Sequence, residues 1–112
     1  SNFPPYNIVK TGEHTYDVEL ALAGFGKDDI EVEYKENQLT VKSKPNKEPA
    51  DEVEKYDDGV QHRGISKRMF TRTFTIANDV EVKGAELKDG LLKVSMERII
   101  PEHKKAKTIE IK

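Results

Sequence analysis

Apolar and polar residues alternate with a period of two through most of the sequence. The alternating runs lie at 16–22, 30–34, 39–41, 70–76 and 92–96. Successive side chains of a strand point to opposite faces, so each run predicts a strand with one buried and one solvated face. Antiparallel sheets tolerate a solvated face and parallel sheets rarely do. The pattern therefore predicts an all-β fold, an antiparallel, immunoglobulin-like β-sandwich.

Length and composition limit the classes of protein that remain. The chain has 112 residues, of which 36% are charged and 35% apolar, enough for one compact domain. No run approaches the roughly 18 apolar residues of a membrane span, and no apolar stretch near the start suggests a secretory signal. The sequence has no cysteine, which excludes disulfides and thiolate metal sites. The net charge of −2 does not suggest a nucleic-acid partner.

Catalytic and cofactor motifs are missing from the sequence. His14, His62 and His103 lie far apart, without metal-ligand spacing, and no nucleotide-binding or nucleophile motif is present. The paired aspartates at 28–29 and 57–58 are better explained as solvating turns and loops than as an acid–base dyad. We expect no enzyme activity, no metal and no cofactor. The basic tail has no interleaved aromatic residue that would stack on bases, so no nucleic-acid site is expected.

A long charged segment, residues 42–68, interrupts the predicted strands. Structureless loops of this length are uncommon in compact domains and usually serve a function. Its second half, Val60 to Ile65, is a candidate for a short strand carried on the loop. One interpretation is a loop that reaches a neighbouring subunit, and the other is a solvated excursion.

The tail, residues 99–112, ends in an isolated apolar pair. Pro101 is expected to end the last sandwich strand, since proline cannot donate to a ladder. After a polar linker come Ile109 and Ile111, whose side chains would project the same way from an extended chain. They predict either a docking motif that fills paired apolar holes or one more strand of the chain's own sheet.

Arg72 lies two residues from both Phe70 and Phe74, so in a strand its side chain is expected to point to the same, core-facing side. Arginine is rarely buried unless it is paired. Either Arg72 reaches a carboxylate across an interface, or it lies near a sheet edge and extends to solvent.

Together these segments resemble the small heat-shock protein family, the α-crystallin-domain (Hsp20) chaperones, of the bacterial inclusion-body-binding type. The pattern A-x-x-x-[ND]-G-[VL]-L occurs at 85–92, and the I-x-I motif follows at 109–111. The resemblance covers nearly the whole chain in the order 3–8, 16–44, 62–82, 84–102 and 108–112.

The resemblance implies a domain at 1–98, with loop 42–68 carrying a dimerisation strand, and a C-terminal extension at 99–112. It implies that Ile109 and Ile111 dock into a groove of another subunit. The implied groove walls are Ile30, Val32 and Tyr34 on one strand and Ala85 and Leu87 on another. The implied dimer interface consists of Tyr56, Val60, His62, Ile65 and Arg72, with Arg72 in an ion pair.

The implied function is an ATP-independent holdase that binds unfolding client proteins as an exchangeable oligomer of dimers. Refolding is left to ATP-dependent chaperones, and the expected location is the cytoplasm. The family also has an apolar N-terminal arm, whereas this chain is expected to start at the first strand of the domain. The alternative is an α-crystallin-like adaptor for one defined partner, although such adaptors typically lack the loop and the tail motif. An enzyme is a remote third reading, which a polar pocket with a histidine and two carboxylates would revive.

Overall fold

A computed structural model describes residues 2–45, 59–65, 67–101 and 106–112. Within these ranges the chain forms seven strands and one short 3-10 turn at Lys27–Asp29. The strands are β1 (Tyr6–Lys10), β2 (Thr15–Ala21), β3 (Ile30–Lys35), β4 (Gln38–Ser43), β5 (Thr71–Thr75), β6 (Val80–Lys88) and β7 (Leu91–Arg98).

The strands form two antiparallel sheets, which confirms the predicted β-sandwich. The first sheet has the order β1-β2-β7-β6 and the second has the order β3-β4-β5. All ladders are antiparallel. One apolar cluster fills the space between the sheets, and its largest fully buried side chains come from both of them. They are Val18, Leu20 and Val94 in the first sheet and Leu39 and Val41 in the second, joined by Leu22 and Pro4 from just outside the strands.

Two-residue turns fix the register of two hairpins. Glu36 and Asn37 connect β3 to β4, and Asp89 and Gly90 connect β6 to β7. All four have positive φ, at 50°, 67°, 54° and 79° respectively. Positive φ at both central residues matches the right-handed twist of the flanking strands. Asn37 and the Asp89-Gly90 pair are residue types that favour this kind of turn.

Strand β6 contains a β-bulge that changes which residues face the core. Val82 pairs with Met96 and Gly84 pairs with Ser95, so Lys83 has no partner in the ladder. The extra residue switches which alternate positions of the strand point toward the core. Even-numbered positions face the core before the bulge and odd-numbered positions face it afterwards, which places Ala85 on the core side.

Two strands are not predicted by the alternation. β6 escapes detection because its bulge breaks the period of two. In β1, Ile8 pairs with the buried Val18 yet is 62% exposed. The first sheet has one strand more than the second, so the face of this outer strand is only partly covered.

At the other end of the chain, β7 stops at Arg98, three residues before Pro101, which was expected to end it.

The sandwich is closed along the side where β1 faces β5. The rings of Tyr6 and Phe74 lie edge to face at 5.0 Å between centroids. The ring of Phe3 contacts that of Phe70 at 5.7 Å and that of Phe25 at 6.4 Å. Aromatic pairs in this geometry stabilise beyond the area that they bury. The other side, where β3 faces β6, lacks this closure within the described residues and holds the candidate site.

Candidate functional site

An apolar groove lies between the edge strands β3 and β6. It encloses a cavity of about 360 Å³. The apolar lining residues are Ile30, Val32, Ala85, Leu87 and Leu92, and the two charged ones are Lys27 and Glu86. β3 and β6 each end a sheet, so the groove runs where the two sheets part.

The strand registers explain why these residues face the groove. Val32 pairs with the fully buried Val41, and Ala85 pairs with the fully buried Val94. Directly opposed residues of a ladder point to the same face. Each wall of the groove is therefore an extension of the core toward the sheet edge.

Burial decreases from the floor of the groove to its rim. Ile30 is 7% exposed and Leu92 is 4% exposed, so they form the floor. Val32 and Leu87 are half-buried, and Ala85 is exposed. Apolar surface that the chain leaves uncovered in this way favours an apolar partner.

Four of the five groove residues implied by the resemblance come together here. Tyr34 lies further along the same face of β3, is 40% exposed and does not line the cavity. Its hydroxyl is 3.5 Å from Oδ1 of Asn37 in the hairpin turn. The sequence reasoning missed Leu92 as floor and Lys27 and Glu86 as charged lining. Leu92 directly opposes Leu87 in the β6–β7 ladder. The two-residue turn at Asp89 and Gly90 was the sequence signal that could have indicated this pairing.

Two charged residues, Lys27 and Glu86, border the groove. Within the described ranges, neither Lys27 nor Glu86 takes part in an ion pair. Both side chains belong to exposed residues. Glu86 directly opposes Lys93 in the β6–β7 ladder, on the face of β6 opposite to Ala85 and Leu87, so its carboxylate points away from the apolar walls.

The 3-10 turn anchors the groove end of β3. Oδ2 of Asp29 accepts a hydrogen bond of 2.8 Å from the Gly26 N–H and lies 3.2 Å from Nζ of Lys67. The Gly26 N–H, and then the Lys67 ammonium, lower the pKa of the Asp29 carboxyl below its ordinary value. The carbonyl of Asp29 accepts the N–H of Lys44 at 2.8 Å. Asp29 thus ties the start of β3 to the end of β4 and to the return of the long loop.

The tail does not add a strand to the chain's own sheets. Residues 106–112 form no strand, and all of them are exposed. Ile109 is 76% exposed and Ile111 is 94% exposed. Of the two interpretations of the tail, the additional strand is wrong, and docking into a groove stays a prediction.

The predicted dimer residues lie on a different surface from the groove. Val60 is 48% exposed, Ile65 is 67% exposed, and His62 is also exposed. Residues 59–65 form no strand in the single chain. With the turn at 23–24 they line a cavity of about 550 Å³. Tyr56 lies outside the described residues, and pairing of this segment with a second subunit stays a prediction.

Arg72 lies on the edge strand β5 and is half-buried. Its Nε donates a hydrogen bond of 3.1 Å to the Pro4 carbonyl. Its guanidinium carbon lies 5.1 Å from the ring centroid of Tyr6. Within the described part of the chain, Arg72 makes no contact with a carboxylate. Its ion pair across an interface stays a prediction.

The described residues hold neither a metal-ligating cluster nor a helix that could span a membrane. No group of three or more potential metal-ligating side chains occurs among 2–45, 59–65, 67–101 and 106–112. In the same ranges, no helix has the length and apolar character needed to cross a membrane.

Comparisons with known proteins agree with this architecture. The Hsp20/alpha crystallin family matches residues 8–112. Small heat shock protein IbpA of Serratia proteamaculans (strain 568) is 40% identical over 110 residues, covering 98% of this chain and 76% of that protein. The corresponding protein of Yersinia pestis (strain Pestoides F) is 37% identical over the same length and coverage.

Two solved structures are also similar. A small heat shock protein from Synechococcus phage S-ShM2 superposes with a TM-score of 0.67 at 39% identity, covering 97% of this chain and 99% of that one. A C-terminally truncated form of small heat shock protein AgsA from Salmonella typhimurium gives a TM-score of 0.70 at 28% identity, covering 96% and 98%.

Proposed function

Since the chain belongs to the Hsp20/alpha crystallin family and therefore has a chaperone role, we propose that it acts as an ATP-independent holdase. It binds unfolding client proteins through apolar surface and slows their aggregation. The groove between β3 and β6 is the single observation that carries this proposal, because it exposes core-like side chains on a folded chain. The adaptor alternative draws no support from the relatives described above.

Docking of the tail keeps the groove covered until clients appear. Ile109 and Ile111 expose most of their surface, and burying both contributes about 3–6 kcal/mol before costs. Ordering the backbone of the tail costs about 1–2 kcal/mol per fixed residue. A single docking event is therefore weak, and several such contacts per assembly make the oligomer stable and still exchangeable.

Clients compete with the tail for the same apolar walls. An unfolding protein exposes apolar segments and unpaired strand edges. A client segment with apolar residues at alternate positions presents two apolar side chains to the groove in the same spacing as Ile109 and Ile111 of the tail. When the assembly loosens, the client occupies the groove and is later released to ATP-dependent chaperones. The expected location is the cytoplasm.

Dimers form through a surface other than the groove. Val60, His62 and Ile65 of the long loop, with Tyr56, extend to the neighbouring subunit and pair with its sheet. Arg72 lies on the edge strand β5 and contributes to this interface. Support comes from the exposure of Val60 and Ile65 and from the uncovered face of β1.

Aggregation of an unrelated thermolabile enzyme tests the holdase proposal. We expect substoichiometric protein to suppress light scattering of the heated enzyme without ATP, and addition of ATP to change nothing. Serum albumin at equal mass controls for nonspecific crowding. Scattering as high as in that control contradicts the proposal.

The variant Ile109→Ala with Ile111→Ala tests the tail. We expect the assembly to fall to dimers, because the two truncations together remove most of the apolar surface that enters the groove. The matched control is Thr108→Ala with Glu110→Ala, which changes the opposite face of the extended tail. Multi-angle light scattering measures both masses. An unchanged mass for the double isoleucine variant excludes tail docking as the link between dimers.

A further inference from the structure

The C-terminal extension begins at a fixed point of the sandwich. Nη1 of Arg98, the last residue of β7, donates a hydrogen bond of 2.8 Å to Oδ2 of Asp79. The N–H of Ile99 donates to the Asp79 carbonyl at 2.6 Å, and the N–H of Arg98 donates to the His14 carbonyl at 2.7 Å. Together the contacts of Asp79 with Arg98 and Ile99 form an exit clasp, which holds the first residue beyond β7.

Asp79 is itself held in place. It lies in the segment 76–79, which connects β5 of one sheet to β6 of the other. The N–H of the buried Ile76 donates to the Asn37 carbonyl at 2.7 Å, and the Asn37 side chain donates to that of Asn78. Asn37 belongs to the turn between β3 and β4. The exit clasp therefore fixes the start of the extension relative to both sheets.

The exit lies at the far end of β7 from the groove. Leu92, which forms the floor of the groove, is the second residue of β7, and Arg98 is the last. The six residue steps between them span about 20 Å of strand. A chain that continues past Arg98 in the direction of β7 moves away from its own groove. To reach that groove, the extension has to reverse.

The length of the extension leaves little slack for such a reversal. Ten residue steps connect Ile99 to Ile109, and they span at most about 35 Å. A reversal takes about four residues, which leaves about 20 Å of extended chain. Leu92 lies about 23 Å from Ile99 along β7. Opening the clasp frees Arg98 and Ile99, which adds about 7 Å of chain and brings the chain's own groove within reach.

We infer that the exit clasp directs the tail to the groove of a second copy of this chain and holds it away from the chain's own groove. Asp79 does not line the groove, so it is a positioning residue that acts through Arg98 and Ile99. When the clasp opens, the tail folds back, and each folded-back tail removes one link between dimers. This inference rests on the proposed docking of the tail.

The mass of the assembly tests the clasp. We expect Asp79→Ala to lower the mean mass in multi-angle light scattering by about twofold or more, because folded-back tails no longer link dimers. The exchange Asp79→Arg with Arg98→Asp restores an ion pair and should recover most of the mass. The matched control Glu97→Ala removes the 3.7 Å pair with Lys83, one residue earlier in β7, and should leave the mass unchanged. A wild-type mass for Asp79→Ala, or no recovery in the exchange, overturns the inference.

Peptide binding shows whether the groove survives the substitution. The acceptor is the full chain with Ile109→Ala and Ile111→Ala, so that its own tail does not compete. The probe is a fluorescent peptide of residues 104–112, followed by anisotropy. We expect Asp79→Ala in the acceptor to change the affinity by less than about twofold, because distant sites act independently. A larger loss means that the lower mass comes from a damaged groove, and it overturns the inference.

A nitroxide on Ala106→Cys distinguishes the two destinations of the tail, and the chain has no other cysteine. In one sample the nitroxide is on one copy and the Ile30 methyl signal is read on another copy. In a second sample both are on the same copy, diluted into copies that carry neither. We expect broadening between copies for the wild type and within one copy for Asp79→Ala.

The remaining outcomes separate the clasp from the docking of the tail. Broadening within one copy of the wild type, or broadening that stays between copies in Asp79→Ala, overturns the inference and leaves tail docking intact. Broadening in neither wild-type sample overturns both proposals together.

Discussion

Replacing Arg72 with alanine should destabilise the fold of the individual chain. The substitution removes the hydrogen bond from Nε to the Pro4 carbonyl and the contact with the Tyr6 ring. Pro4 is fully buried, so its carbonyl loses a partner in a place that is poorly hydrated. Arg72 thereby joins the N-terminal segment to β5.

The expected loss is about 2 kcal/mol. A hydrogen bond from a charged donor contributes about 1.5–3 kcal/mol, and a cation over a ring at an exposed site adds about 0.5–1 kcal/mol. Arg72 is half-buried, so the lower end of each range applies. For a domain of this size, that loss lowers the melting temperature by about 8 °C.

The assay is urea unfolding in the background of Ile109→Ala with Ile111→Ala, so that tail docking does not contribute. Arg72→Lys should recover only the ring contact, because lysine lacks the Nε donor. Arg68→Ala is the matched control, since Arg68 lies over the Phe3 ring at 4.6 Å. Its loss should stay below about 1 kcal/mol.

The dependence on protein concentration separates the two readings of Arg72. A contact within one chain lowers stability by the same amount at every concentration. If Arg72 instead contacts another subunit, the loss in the free energy of unfolding depends on protein concentration, because dissociation is then coupled to unfolding. A wild-type urea midpoint together with a weaker dimer would refute the reasoning and would favour the ion pair across the interface.

Two further changes test the contacts that hold the long loop and the groove. Ser43→Ala should cost about 1–3 kcal/mol in urea unfolding, because the buried Phe70 N–H loses its 2.9 Å acceptor, Ser43 Oγ; an unchanged midpoint would show that another acceptor replaces it. Asp29→Asn should flatten the acid limb of stability against pH. The Gly26 N–H and Lys67 lower the folded-state pKa of Asp29, so its contribution is complete above its unfolded pKa and is lost as pH falls through the folded one. Thermal melts from pH 7 down to about pH 3 measure this, and parallel curves for wild type and variant contradict it.

The sequence predicted the strands whose period of two is unbroken and missed those whose partners change the pattern. β4 has inward residues that are buried at every second position, so local alternation was enough. In β6 the bulge at Lys83 shifts the parity, and only the ladder with β7 shows where it falls. Ala85 and Leu87 were placed on the groove by resemblance and not by periodicity.

The charged part of the site could not be predicted because it depends on contacts between distant segments. Lys27 precedes β3 and Glu86 lies in β6, and only the pairing of the two sheets brings both to one groove. The partner of Arg72 in the chain is a backbone carbonyl 68 residues away, which no side-chain pattern reveals. The partners of the Asp29–Lys67 pair are also far apart in sequence, since the long loop lies between them.

The difference between the two sides of the sandwich explains how the chain can hold an exposed apolar groove. Unpaired edge strands invite association with other chains, and proteins limit this with bulges and charges at the edge. At the groove, β6 carries the bulge at Lys83, and Lys27 and Glu86 flank the apolar walls. These features discourage extended pairing along β6 while leaving room for a short segment with two apolar residues. Such an edge favours brief contacts over continuous strand addition.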